Sequence, residues 1–598
     1  MPCRNGGIGR HEGLKIPWPV MAVRVRVPLA ALSKIFFFYF NMRKNIFYVL
    51  SACSLFVLAS CSKMGPLSAD NFTVNPVPLE TQGGQVPATI NGTFPAKYMK
   101  KKAVVTVTPE LRYADGKVSR GDAATFQGEK VMGNDQTISY KVGGRYNMKT
   151  SFTFKPGMEK SDMYLTFDAK VGKKLVEIPA VKVAYGVVAT SELYRKTLNG
   201  NSCIAPDTFQ RVNEKKLEAN IKFLVNQANL RKSELKNNSV KEFVKMLKEI
   251  NADREGLNVR NVEVLAYASP EGGFEFNDKL ASKRQSNSED YVKKQLKQTK
   301  VDANVAARYT AQDWDGFQQL VQVSNIQDKE VILRVLSMYK DPEEREQQIR
   351  NMSAVFRELA DGILPELRRS RLIINYETIG RSDDQIQEQY KADAAKLSAD
   401  ELLYAATLEE STAKKKEIYE TTAKLYDKDY RAYNNLAALA FAEGNDAKAK
   451  EYLNKALSYN AKAPEANGTL ALLALKNGDL EQAETNLSKA VDAQDFNTVL
   501  GNLNIAKGNY AQAEQNFDDA TCNSAALAQI LNKNYAKASS TLRAIKNRDA
   551  MTEYLTAIVN ARQGNTTDAA SALKLAIQKD PSLAAYAAND IELAKVSK

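Results

Sequence analysis

Residues Asn261–Leu296 read NVEVLAYASPEGGFEFNDKLASKRQSNSEDYVKKQL, and this stretch decides how the middle of the chain folds. The apolar run Val262, Val264, Leu265, Tyr267 suits a buried strand. It breaks at Ser269-Pro270-Glu271-Gly272-Gly273, where a proline and two glycines require a loop. Beyond the loop, Asn277 is placed to cap a helix whose apolar or small positions Leu280, Ala281 and Tyr291 lie among Lys283, Arg284, Lys293 and Lys294. Strand, glycine loop and basic helix in succession gather backbone N–H groups, a helix N-terminus and a cationic side chain around one small concavity, which would attract a carboxylate.

Tyr267, Gly272, Asn277, Leu280 and Arg284 fall at the spacing of the OmpA-like C-terminal domain, and the stretch resembles that family. The resemblance implies non-covalent binding to peptidoglycan, in which a diaminopimelate side chain of the stem peptide is gripped at its two charged ends. In the family an Asp two residues after the aromatic and an Arg on the following helix do the gripping. Arg284 matches the Arg, while Ser269 stands where the Asp is expected. The carboxylate half of the site is therefore present and the ammonium half weakened, with Glu271 in the same loop as a substitute. The binding set implied is Ser269, Glu271, Gly272, Asn277 and Arg284. The alternative is an assembly or secretion accessory scaffold whose OmpA-like domain no longer binds the wall and carries an ordinary surface arginine at 284.

Outward from this stretch, residues 207–380 read as one α/β domain. Lys216–Leu224 is a first strand and Val240–Ile250 a helix. Asn304–Tyr309 and Arg371–Tyr376 complete a sheet with helices on one face. The segment between the last two strands exceeds the family pattern. It carries Asp313-Trp314-Asp315-Gly316, an amphipathic stretch with Val331, Ile332, Val335 and Leu336, and a run of mixed charge from Asp341 to Arg350. It resembles the variant found in lipoproteins that combine such a domain with repeats. Trp314 reads as a packing anchor of this insertion rather than a sugar platform.

Towards the C-terminus, residues 381–399 are polar and serve as a linker or connecting helix, and 400–598 are repetitive. Gly444, Ala449, Leu453 and Ala456 recur as Gly478, Ala483, Leu487 and Ala490, each displaced by 34 residues. The pattern returns as Gly508, Ala513, Phe517, Ala520 and as Gly564, Ala569, Leu573, Ala576, with weaker copies around Tyr419 and Leu542. Small residues allow paired helices to approach closely, and glycine ends the tight turn between them. This period resembles the tetratricopeptide repeat, which implies an all-α solenoid whose concave groove holds an unidentified protein partner.

Towards the N-terminus, residues 102–190 alternate with period two over Ala103–Thr108, Gln136–Val142, Met148–Lys155, Met163–Lys170 and Leu175–Tyr185. Turn signals such as Gly143-Gly144 and Pro156-Gly157 separate the runs, and the spacing favours a β-sandwich. Residues 61–101, rich in Pro, Gly and Thr, read as a flexible tether. Met42-Arg43-Lys44, the apolar run Ile46–Ala59 and Leu58-Ala59-Ser60-Cys61 resemble a lipoprotein signal peptide over 42–60. The resemblance implies lipidation at Cys61 and, with Ser62 next, an anchor in the outer membrane, facing the periplasm. Residues 1–41 read as an upstream extension, with Met42 as initiator.

Composition narrows the function. The formal charge of +13 falls to about +6 without residues 1–60, whose eight Lys/Arg and one Asp/Glu leave 75 basic against 69 acidic residues. So mild a charge gives nucleic-acid binding no support. The sole histidine is His11, so no His base, Ser-His-Asp triad or His-ligated metal is available beyond it. Cys61, Cys203 and Cys522 are too few for a thiolate metal site. No enzyme, cofactor or metal is expected. The chain reads as a β-sandwich, an α/β OmpA-like domain and an all-α repeat solenoid in succession, tied to the membrane by lipid.

Overall fold

The structure is a computed structural model that describes residues 64–326, 328–351 and 353–596. Cys61 and the signal segment lie outside the described residues. The chain divides into two units, one ending at Ala189 and taking in Asn589–Ala594, the other running from Thr190 to Ala588.

In the first unit the strands are β1 (Phe72–Asn75), β2 (Leu79–Glu80), β3 (Gln85–Phe94), β4 (Ala103–Tyr113), β5 (Lys117–Arg120), β6 (Ala124–Gly128), β7 (Gln136–Ile138), β8 (Gly144–Thr153), β9 (Asp162–Val171), β10 (Lys174–Tyr185) and β11 (Val187–Val188). They form a sheet in the order β1-β3-β8, a larger one in the order β10-β9-β4-β6-β7 with β5 paired to β4, and the short parallel pair β11-β2. Neither large sheet closes into a barrel. Alternate residues point inward, among them Val86, Ala88 and Ile90 on β3, Val105 and Val107 on β4, and Met163 and Leu165 on β9, and they meet in one apolar core.

The tether expected over 61–101 is corrected from Met64 onward. Met64 is 2% exposed, and three strands lie before Lys101. Part of the Pro and Gly content of this stretch serves turns between strands, such as Gly83-Gly84, both at positive φ, while Pro87 and Gly92 lie within β3.

In the second unit β12 (Val212–Lys222), β13 (Leu257–Tyr267), β14 (Val305–Thr310) and β15 (Arg369–Ile379) form a sheet in the order β12-β15-β13-β14. β13 and β14 are parallel, and β15 runs antiparallel to both β12 and β13. Helix α1 (Asn238–Ala252) connects β12 to β13 and α2 (Phe274–Thr299) connects β13 to β14. One face of the sheet, with Ile221, Val262, Val264, Leu372 and Ile374, is covered by Val240, Phe243, Leu247 and Ile250 of α1 and by Val292 and Leu296 of α2. The helical spacing of these residues is what lays each helix on the sheet.

Between β14 and β15 the insertion folds into α3 (Trp314–Val323), α4 (Lys329–Met338), α5 (Pro342–Asn351) and α6 (Ser353–Gly362) around Phe317, Val321, Ile332, Leu336, Ile349 and Leu359. Trp314 packs edge-on against Phe317, as a packing anchor should. Helix α7 (Asp383–Asp393), opened by a reciprocal Ser382–Gln385 cap, occupies the expected linker.

The C-terminal region is helical throughout. Its pairs are α8 (Ala399–Thr407) with α9 (Thr412–Leu425), α10 (Tyr430–Ala442) with α11 (Asp446–Tyr459), α12 (Pro464–Asn477) with α13 (Leu480–Leu487), α14 (Phe496–Ala506) with α15 (Tyr510–Phe517), α16 (Asn523–Leu531) with α17 (Tyr535–Ala544) and α18 (Ala550–Arg562) with α19 (Thr566–Lys579); α20 (Leu583–Asn589) follows. Gly444, Gly478, Gly508 and Gly564 end the first helices of their pairs at φ 78 to 83°, and Lys533 takes the same left-handed position between α16 and α17 at φ 64°. The weak copy around Leu542 therefore keeps the turn without the glycine. No helix among the described residues is long and apolar enough to cross a membrane.

Candidate functional site

The loop after β13 brings the expected residues together, in roles that differ from the expectation. Helix α2 begins at Phe274, so Asn277 lies inside its first turn and does not cap it. Its Nδ2 donates to the carbonyls of Ser269, Glu271 and Gly272 at 3.0, 3.3 and 3.2 Å, and so shapes the loop from beneath. Gly272 sits at φ +109°, which a side chain would resist. Ser269 donates to Glu271 at 2.9 Å, and the Glu271 carboxylate pairs with Arg368 at 2.6 Å. Both partners of that pair are largely shielded from water.

The Gly272 amide does offer its hydrogen to a carboxylate, but the acceptor is Glu346 of α5, at 2.7 Å. Beside it remains a cavity of about 20 Å³ lined by Pro270, Glu271, Trp314, Phe317, Glu346, Ile349, Leu359 and Leu364. That is room for about one water molecule.

Arg284 is 1% exposed. Its Nε donates to the Gln227 carbonyl at 2.9 Å, Nη1 to Tyr267 at 2.8 Å and Nη2 to Leu224 at 3.2 Å, with the Phe223 ring under the guanidinium. Burial first, and the Arg368 charge second, pull its pKa down to about 10, partly opposed by Glu271, and it stays cationic at neutral pH. The guanidinium staples the end of β13 to the loop that follows β12, whereas the resemblance had it facing an incoming carboxylate. Sequence pattern does not reveal Glu346 and Arg368, because their partners lie 74 and 97 residues away.

A second site lies on the inner helices of the repeats. Residues 190–208, which connect β11 to β12, lie along α16, α12, α10 and α8. Tyr194 Oη donates to the Leu475 carbonyl, and Asn201 Nδ2 to Ser524 Oγ at 2.8 Å. The Cys203 amide donates to Thr469 Oγ1 at 3.1 Å, and its carbonyl accepts from Asn434 Nδ2 at 3.0 Å. Asn435 takes both main-chain groups of Ala205, accepting the amide at 2.8 Å and donating to the carbonyl at 3.1 Å. Arg431 donates to the Asp207 carbonyl at 2.8 Å and to Thr208 Oγ1 at 2.7 Å.

Beyond the helical turn that ends at Asn201, Cys203 and Ala205 are buried while Ile204 and Pro206 are exposed, the alternation of an extended peptide. Gly468 supplies the room: a Cβ there would stand 2.6 Å from Cys203 Sγ. Burial pushes the Cys203 thiol far above its ordinary range, with the Asp495 carboxylate adding to the effect. The signal in the sequence is polar residues at inward positions of Ala- and Leu-rich helices, Asn434-Asn435 and Asn467-Gly468-Thr469. Among the described residues no cluster of His, Cys, Asp or Glu is arranged to hold a metal.

A protein-family model of the tetratricopeptide repeat matches residues 430–462, the pair α10 and α11 with the turn that follows it. Among solved structures, a tetratricopeptide repeat protein from Parabacteroides merdae is 16% identical over 39% of this chain and 93% of its own, with a TM-score of 0.25. YrrB, described as a repeat protein with an unusual peptide-binding site, is 18% identical over 34% of this chain and 98% of its own, with a TM-score of 0.18. The Cut9–Hcn1 heterotetramer of the APC/C matches at 13% identity over 60% of this chain and 81% of its own, with a TM-score of 0.27. No curated protein matches. The C-terminal region therefore contains a tetratricopeptide repeat, a module of protein–protein interaction.

Proposed function

We propose that the chain is a scaffold of the cell envelope, held to the outer membrane by lipid on Cys61 and engaging protein segments through its repeats. Its OmpA-like part then acts as a rigid mount rather than a wall anchor. The observation that carries this reading is the pair of bonds from Asn435 to the amide and carbonyl of Ala205, by which an inner helix of the repeats holds an extended peptide by its main chain. The lipobox Leu58-Ala59-Ser60-Cys61 supports the anchor. The engagement of Arg284 and Gly272 within the chain supports the mount.

The test is affinity purification of the full chain from membranes, beside sedimentation with cell-wall sacculi. A defined protein complex with no co-sedimentation is expected. Absence of any complex would end this reading.

Peptidoglycan binding is the second reading, favoured by the convergence of Ser269, Glu271, Gly272, Asn277 and Arg284 on one loop and one helix. It requires Glu346 to yield the Gly272 amide to a stem-peptide carboxylate. Co-sedimentation that free diaminopimelate competes away would establish it in place of the first.

A further inference from the structure

We propose that residues 201–208 are a cis ligand that keeps the repeat groove filled, and that a partner enters by replacing them with an extended peptide bearing small, uncharged side chains two residues apart. The inference deepens the scaffold reading and rests on it.

The contacts themselves define what fits. Four of the groove's bonds go to main-chain amides and carbonyls of Cys203 and Ala205. Bonds of this kind do not read side chains, so another peptide can make them. Selection comes from space. The inward position at 203 faces Gly468, where a Cβ would stand 2.6 Å from Cys203 Sγ, so only a small side chain is admitted. The inward position at 205 is held on both sides of its main chain by Asn435, which excludes proline there because the amide must donate. The side chains at the outward positions, Ile204 and Pro206, are exposed, although the Ile204 amide donates to Asp495 Oδ2 at 3.4 Å and so excludes proline at 204 as well. At the end of the segment Arg431 takes a carbonyl and a hydroxyl, those of Asp207 and Thr208.

The resident peptide also holds an advantage of connection. It is tethered to the groove by its own chain, and a tethered ligand acts at an effective concentration on the order of millimolar. A free peptide with the same contacts thus displaces it only when supplied at comparable concentration, or when the resident segment is drawn out. An unaided partner of modest affinity finds the groove occupied.

The thiol of Cys203, fully buried beneath the segment, reports on this exchange. The full chain with every cysteine except Cys203 changed to Ser is treated with a maleimide under native conditions, and labelling is followed by mass spectrometry. A synthetic peptide of residues 201–208 carrying Cys203→Ser is then raised into the millimolar range. The expected result is slow labelling without peptide, a rise of about ten-fold or more with it, and no rise with the same peptide carrying Ala205→Pro. Asn435→Ala is expected to speed labelling with no peptide present.

The peptide arm needs no change in the groove, so it decides the matter even where Asn435→Ala fails to fold. Labelling that appears only when denaturant unfolds the repeats, without response to peptide, overturns the proposal. A defined protein complex that forms while Cys203 stays shielded also overturns it and leaves the scaffold reading standing. Displacement by peptide in a chain that recruits no protein ends the scaffold reading and leaves the cis ligand standing.

Discussion

The carboxylate of Glu346 accepts the amide of Gly272 at 2.7 Å, so the loop whose exposed amide was expected to meet a carboxylate from outside has met one from its own chain. Removing it should reopen that position. In Glu346→Ala the Gly272 amide loses its acceptor and the neighbouring cavity of about 20 Å³ enlarges towards α5. Titration with diaminopimelate, followed by the Gly272 amide resonance, should shift it in the variant and leave it unmoved in the parent. Loss of the charge-assisted bond should cost about 1–2 kcal/mol in urea unfolding.

Arg284 should behave as a structural residue. Arg284→Ala abandons three buried carbonyls at once, which costs about 3–5 kcal/mol by the usual penalty for orphaned buried acceptors. Arg284→Lys keeps the charge but lacks the planar fork, and should recover less than half of that loss. Urea unfolding of both variants checks the order. A near-neutral Arg284→Ala would mean that the guanidinium is free for another task.

Lys533 holds a backbone conformation that its pair-ending equivalents give to glycine, at φ 64° against 78 to 83°. Lys533→Gly should therefore stabilise the repeats by roughly 1 kcal/mol, since a side chain in the left-handed region carries a strain of about that size. Gly564→Ala should move thermal unfolding the other way by a similar amount.

Acid should loosen the end of the repeats through Glu553. A hydrogen bond from Arg548 at 2.8 Å, with Lys579 at 3.0 Å, holds its carboxyl below the usual range against the opposing effect of burial. A carboxylate whose folded pKa is depressed adds stability above its unfolded pKa, near 4.3, and that contribution is lost as pH falls through the folded value. Stability should decline below about pH 4.5 in the parent. Glu553→Gln should be less stable at pH 7 and show a flatter decline, as thermal melts across pH 3 to 7 would reveal.

Local pattern carried much of the architecture. The alternation over Met163–Lys170 and Leu175–Tyr185 marks β9 and β10, and the run Val262–Tyr267 followed by Pro270 and two glycines marks β13, its loop and α2. The 34-residue recurrence marks the pairs around Gly444 and Gly478. What escaped is what depends on distant partners. Residues 202–208 follow a short helical run that ends at Asn201 and belong to no helix or strand themselves, and their shape comes from side chains more than 200 residues away. Asn277 sits at a plausible cap, yet the carbonyls of Ser269, Glu271 and Gly272 claim its amide and the helix starts earlier. Residues 64–101 misled by composition: Val86, Ala88, Ile90 and Phe94 keep strand alternation amid the prolines and glycines.

The peptide in the repeat groove is also the only covalent connection between the strands that precede Thr190 and the sheet that begins at Val212. A pull applied along the chain at Thr190 and Val212 runs through it. It meets a row of hydrogen bonds from Ser524 back to Arg431. Drawing that segment out is what would bare the inner faces of the repeat helices, and it requires those bonds to part.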